Sequence, residues 1–226
     1  MTKAARRLEE MLAARGFLLV GGFDPKPDDH VPVPNTGSPP VQVLVIGSTA
    51  PQIWPVFSHS PEFVDGQPDP LDRYTKRVLT QVAEAFGVDH AFPFEGPPYH
   101  PFQRWAQRCG GFSPSPVGVL AHRTYGPWMG LRAAFFSTGQ ISLISDETAE
   151  GPCPACMEKP CIEACPAAAL TARDGYDVPR CMAYLHENRE SSCFSGCAAR
   201  RACPYGPEHA HSVDAGRFHM NSFLTF

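Results

Sequence analysis

GPCPACMEKPCIEACPAAAL, residues 151–170, places four cysteines within thirteen positions and follows the last of them with a proline. The spacing is Cys153-x2-Cys156-x4-Cys161-x3-Cys165-Pro166. A second group, Cys181-x11-Cys193-x3-Cys197-x5-Cys203, also ends in a proline, Pro204. Eight thiols in two groups of four require a ligand, because in a reducing compartment cysteines at metal-ligand spacing serve metals rather than disulfides. The ninth, Cys109, stands apart in "QRCGG" at an expected helix end and reads as a buried free thiol.

A structural zinc site takes four ligands and commonly shows two close pairs, whereas a bacterial ferredoxin run has three closely spaced cysteines and a fourth followed by proline. Both groups here end in Cys-Pro, which favours two iron-sulfur clusters over two zinc ions. A cubane needs four soft thiolates converging on one point, and short loops also present backbone N–H groups that tune its potential. In two-cluster ferredoxins the fourth cysteine of each run crosses to the other cluster. Applied here, that rule gives Cys153, Cys156, Cys161 and Cys203 to one 4Fe4S cluster and Cys165, Cys181, Cys193 and Cys197 to the other. The x4, x3, x11 and x5 spacings depart from the common run, so the loops differ while the ligand count stands.

Working outward, the composition is that of a globular chain. Of 226 residues, 43% are apolar, enough for one large domain or two smaller ones. Net charge is −4 with both signs interspersed, so neither nucleic acid nor an anionic membrane is an expected partner. Near the N-terminus Glu9 and Glu10 follow Arg6 and Arg7 where a secretory signal needs an apolar run, and no long apolar segment follows. The expected location is the cytoplasm. The 25 prolines are about twice the usual share of roughly 5%, which implies much irregular loop.

Ahead of the cysteines, Leu8, Met11 and Leu12 recur at helical spacing over residues 3–15, followed by a strand at "FLLVGGF". Residues 24–40 form a proline-rich loop, and "VQVLVIGS" is a buried strand. Thr49 and Pro51 open a short helix. The clearest helix is "DPLDRYTKRVLTQVAEAFG", with Leu71, Tyr74, Val78, Val82 and Phe86 on one face and Gly87 as its C-cap. "PPYHPFQRWAQRCGG" is an aromatic-rich helix. "PVGVLAH", "LRAAFFS" and "QISLIS" read as strands with little polar alternation, suited to the middle of a layered domain. Composition changes near residue 148, which divides the chain into domains 1–148 and 149–226.

"CPACMEKPCIEACP", "RCMAYLHE" and "CFSGCAARRACPYG" together resemble the ferredoxin portion of the epoxyqueuosine reductase family, itself similar to corrinoid reductive dehalogenases. "PVGVLAHRTYGPWMGLRAAFFSTG", with looser agreement back through "DPLDRYTKRVL", resembles the cobalamin-processing CblC (MMACHC) family. These resemblances imply an α+β chain: a nitroreductase-like domain followed by a bacterial ferredoxin-like 2x4Fe4S domain. They further imply that Gly126 and Trp128 line a corrinoid pocket, that Arg132 points a guanidinium at it, and that His122 and Tyr125 neighbour it. Aromatic walls with a few fixed donors suit a wide apolar disc fringed with amides. The expected cofactors are two 4Fe4S clusters and cobalamin, with FMN as the alternative because nitroreductase-like folds commonly hold it. The expected partner is an external electron donor: a reductase, a flavodoxin or a ferredoxin. A third reading is an electron carrier whose first domain docks a partner. The chain lacks the basic surface for docking a tRNA, so queuosine chemistry is not expected. His209, His211 and His219 in the tail include a His-x-His pair, but no further ligand stands at a recognisable spacing, and they read as solvated or capping residues.

Overall fold

The computed structural model describes residues 2–34, 37–141 and 144–225. In chain order the elements are α1 (Lys3–Ala13), β1 (Leu18–Phe23), β2 (Gln42–Ser48), α2 (Ala50–Phe57), α3 (Pro61–Val64), α4 (Pro70–Phe86), β3 (Asp89–Ala91), α5 (Phe102–Arg108), β4 (Phe112–Pro114), β5 (Leu120–His122) and β6 (Gly130–Ser137). There follow α6 (Pro160–Glu163), β7 (Leu170–Thr171), β8 (Gly175–Tyr176), α7 (Val178–Glu187), α8 (Ala198–Arg201) and α9 (Val213–Leu224). The fold class is mixed α+β. Contacts group the chain into two compact units, one of Met1–Ser48, Gln52–Gly110 and Gly130–Ala149, the other of Thr49–Pro51, Gly111–Met129 and Glu150–Phe226. The second unit thus takes up a segment of chain that precedes β6 as well as the cysteine-rich portion.

The first unit is built on an antiparallel sheet of order β1-β2-β6-β3. Its central strand β2 is buried at every residue, which explains why "VLVI" shows no polar alternation. Register pairs Val43 with Phe136 and Val45 with Ala134, and these side chains share one face with Phe23, Phe102 and Trp105. Leu44 and Ile46 point the other way by the two-residue period of a strand and are fully buried too. Helix α1 is capped by the Thr2 hydroxyl, which accepts from Ala5 N at 3.0 Å. Helix α4 buries Leu71, Tyr74, Val78 and Val82 as its spacing requires, together with Thr75, Leu79 and Ala83. It ends at Gly87, whose φ of +61° is the left-handed cap that glycine adopts without penalty.

Two expected strands differ in the structure. Of "PVGVLAH" only Leu120–His122 is extended, and it pairs with β4 in a two-stranded ribbon of the second unit rather than entering the main sheet. Pro116 offers no N–H and Gly118 sits at φ +78°, so the run is too interrupted for a central strand. Within "QISLIS", Ser142 and Leu143 lie outside the described residues, and the rest is not strand. Ser145 instead latches onto β1: its N–H donates to Gly22 O at 2.8 Å and its hydroxyl accepts from Gly22 N at 3.0 Å.

The second unit holds short elements. Besides the β4–β5 ribbon and the β7–β8 hairpin, its helices α6 and α8 span four residues each, and its apolar cluster is small: Val117, Leu170 and Ala199, packed against Cys161, Ile162, Cys165, Tyr176 and Cys197. Helix α9 is capped by Ser212, whose hydroxyl accepts from Ala215 N. Gly216 lets α9 approach the turn at 192–195, since a Cβ there would lie 2.3 Å from Ser195 O.

Candidate functional site

The cysteine loops are shaped by their neighbours. Gly151 passes the β4 backbone so closely that a Cβ would lie 2.2 Å from Ser113 N, and Cys153 N then donates to Ser113 Oγ at 3.1 Å. The loop curls around its own lysine: Lys159 Nζ donates to the carbonyls of Cys153 at 3.3 Å and Cys156 at 3.0 Å. Pro160 then starts α6, a position where a missing N–H costs nothing.

Cys153, Cys156, Cys161 and Cys203 wall one cavity, closed on its apolar side by Val117 and Pro127. The cavity is small, about 30 Å³, and partly open to solvent. Burial pushes the Cys161 thiol up, and Cys203, Cys153 and Cys156 push it further, because like charges gathered at one place resist ionisation together. Cys203 is raised by burial and by Cys153 and Cys156, against an N–H bond from Tyr205. The remaining thiols gather separately. Cys181 is raised by burial and by Cys197, Cys165 and Cys193, while the Tyr176 hydroxyl hydrogen-bonds its sulfur. Ala169 N donates to Cys165 Sγ at 3.4 Å, and the N–H groups of Arg200 and Ala199 serve Cys197.

The thiols therefore fall into two quartets, each furnished with N–H or O–H donors, a donor set that suits a soft, electron-rich sulfur cluster. Among the described residues no group of three or more His, Cys, Asp or Glu side chains is placed to hold a metal ion. Cys109 belongs to neither quartet. It is buried in the first unit with Phe23, Val45 and Trp105, and burial pushes it up to about 12, so it is an inert packing residue.

The 122–128 loop is closed by two backbone bonds, His122 N to Gly126 O at 2.8 Å and Gly126 N to His122 O at 2.7 Å. His122 Nδ1 accepts from Thr124 N at 3.1 Å and Tyr125 N at 3.3 Å, which fixes the proton on Nε2. Burial, with Arg123 and His209 adding to it, pushes this ring down to about 4. Tyr125 lies between His122 and His209, with ring centroids 5.0 and 4.8 Å away. Gly126 touches the segment that follows Cys203: at φ +53° it has no room for a Cβ, which would meet Tyr205 O at 1.9 Å. Trp128 is buried between the Arg200 guanidinium, 5.0 Å from its ring centre, and His211 at 5.3 Å, and His211 stacks on His219 at 4.6 Å. Both the Trp128 indole N–H and the Arg200 Nε–H are buried without a hydrogen-bond partner.

His122, Tyr125, Gly126 and Trp128 are thus gathered in one unit, whereas Arg132 belongs to the other. Arg132 Nε donates to the buried Ser48 Oγ at 2.8 Å, and burial pushes its guanidinium down against the pull of Asp72. Asp72 is itself pushed up by burial. No role for Arg200 follows from the sequence, and the three tail histidines read there as solvated or capping residues, whereas His209 and His211 lie against aromatic rings. Nothing in the sequence pattern announces that His209 lies tilted against Tyr125, or that His211 and Arg200 lie against Trp128.

No family model matches the chain, and no curated protein matches it by sequence. Its likeness lies in the fold, a mixed α+β architecture consistent with the nitroreductase-like type. The C. elegans B12-trafficking protein CblC, a homologue of human MMACHC, is similar at a TM-score of 0.51 with 15% identity, over 96% of this chain and 90% of that one. Epoxyqueuosine reductase from Bacillus subtilis is similar at 0.54 and 12%, covering 93% of this chain and 66% of that one, and the Streptococcus thermophilus enzyme at 0.51 and 15%, covering 90% and 65%. The chain spans about two thirds of the reductases' length. Among the described residues no helix is long and apolar enough to cross a membrane.

Proposed function

We propose that the chain is an iron-sulfur redox protein. It carries one 4Fe4S cluster on Cys153, Cys156, Cys161 and Cys203 and a second on Cys165, Cys181, Cys193 and Cys197, and delivers electrons to a corrinoid held at the 122–128 loop. The observation that carries this reading is the cavity walled by Cys153, Cys156, Cys161 and Cys203, thiols that come from positions fifty residues apart. A ligand set drawn from both Cys-Pro groups is what two-cluster cross-ligation requires and what two separate local sites do not.

When bound, the clusters supply one-electron steps and the corrin a reducible cobalt. The chain's own residues do the rest. Ser113, Tyr176 and the N–H groups of Ala169, Ala199, Arg200 and Tyr205 stabilise thiolate sulfur. Trp128 holds a buried, unpaired indole N–H, the kind of donor that an amide-fringed disc can meet. The fold shared with a B12-trafficking protein and with reductases favours corrinoid reduction or removal of its upper ligand, with electrons from a small carrier protein in the cytoplasm.

Protein purified without oxygen should be brown and yield iron and acid-labile sulfide in equal amounts. Titration with cobalamin should give the absorbance change of the form whose lower base has left cobalt. A colourless protein with two zinc ions overturns the cluster assignment. An unmoving cobalamin spectrum together with tight FMN binding replaces the corrinoid with a flavin.

A further inference from the structure

The surroundings of the two quartets are unequal. Beside Cys197, Arg200 lies over the Trp128 ring, donates through Nη2 to Pro127 O, and keeps its Nε–H buried with no partner. Tyr176, packed like Cys165 and Cys197 against Val117, Leu170 and Ala199, turns its hydroxyl to Cys181. The cation beside the other quartet is Lys159, whose ammonium is half-buried at a cavity partly open to solvent and already bonded to two carbonyls.

An electron added to a thiolate-bound cluster adds negative charge. A cation whose Nε–H is buried and an O–H donor at the sulfur stabilise that state more than a cation at a cavity partly open to solvent. The buried Arg200 Nε–H reinforces the point, since an unmet buried donor is costly and is retained where an acceptor is supplied. We infer that the two quartets hold groups of unequal reduction potential, and that the Cys165, Cys181, Cys193 and Cys197 quartet is the higher, electron-receiving one because Arg200 and Tyr176 are built against it. This deepens, and rests on, the iron-sulfur reading above.

The transfer is a balanced single-electron relay. A low-potential electron carrier reduces the first group and is itself oxidised; the first group is reoxidised as the second is reduced; no bond forms or breaks. Arg200 then links the receiving quartet to the loop of Trp128, so the direction of flow is toward that loop.

A potentiometric titration of the anaerobically purified full chain, followed by electron paramagnetic resonance, tests the assignment. Wild type should show two separate midpoints. Arg200→Gln and Tyr176→Phe should each lower the higher midpoint and leave the lower one in place, and Arg200→Lys should restore part of the shift. Arg173→Gln removes the same charge from a side chain 92% exposed and should move neither. Both variants must retain wild-type iron, which separates a potential shift from a damaged fold. Variants that keep their iron and shift only the lower midpoint, or neither, overturn this inference alone. A wild-type protein without cluster signals overturns the cluster reading and this inference with it.

Discussion

His122 shows how one residue's bonds decide its chemistry. With Nδ1 engaged by two backbone N–H groups and burial holding the ring neutral down to about pH 4, it organises its loop and is not a proton carrier near neutrality. An unfolded histidine takes up its proton near 6.5, so between that value and about 4 the unfolded chain binds the extra proton and the folded one does not. Stability contributed by this site is therefore full above 6.5 and is lost as pH falls toward 4, by at most on the order of 3 kcal/mol. His122→Asn keeps an acceptor for the loop and removes the titration. Urea unfolding at pH 7, 5.5 and 4.5 should show wild type losing stability more steeply than the variant. The cysteines carry a second residue-scale expectation. If the quartets hold clusters as proposed, Cys165→Ser and Cys161→Ser, only four positions apart, should leave different surviving paramagnetic signals, because their thiols fall in different quartets and a serine oxygen is a harder ligand than sulfur. The same surviving signal in both would mean that each run binds its own cluster.

Among the elements, α5 is fixed by one side chain. Trp105 is fully buried under the sheet and its indole donates to Asp29 O at 2.7 Å, so it ties the helix to the proline-rich loop as well as to Phe136 of β6. Trp105→Ala should cost about 3–5 kcal/mol, read as a drop in thermal and denaturant midpoints. That helix, like α4 and β2, was legible in the sequence, since long apolar periodicity and glycine caps report directly on burial. Elements whose burial depends on distant partners were not. Asp89–Ala91 is a three-residue strand that exists because β6 offers it an edge, and α9 carries Arg217, His219 and Asn221 around a weak stripe, held at Gly216 by the turn near Ser195. "PVGVLAH" misled for a related reason: its apolar run is real, but Pro116 and Gly118 break it before it reaches strand length. The cysteine positions were readable because ligand spacing is local. The association of Tyr125 and Trp128 with Arg200, His209 and His211 was not, because contact between residues some seventy to eighty positions apart leaves no periodic trace.

At the scale of the whole molecule, the two units rest on different kinds of support. The first buries long aromatic and aliphatic side chains on both faces of a four-stranded sheet, Phe17, Phe23, Leu44, Ile46, Leu79, Trp105 and Phe135 among them. The second rests on a smaller apolar cluster and, apart from α7 and α9, on helices and strands of two to four residues, so it has less burial to set against the conformational entropy of ordering its loops. If its eight thiolates hold clusters, ligation supplies the missing free energy, and folding of that unit is linked to the metal. Stripping iron with an oxidant and chelator should then leave the molecule half folded. Hydrogen exchange should show the amides of α7, α8 and α9 losing protection by orders of magnitude, while those of β2 and β6 exchange as slowly as before, because their ladder and their burial owe nothing to the cysteines. Equal loss of protection in β2 and β6 would show that the first unit cannot stand by itself. Undiminished protection in α7 and α9 of iron-free protein would show that the second unit folds on its own packing and that its thiols are not what hold it together.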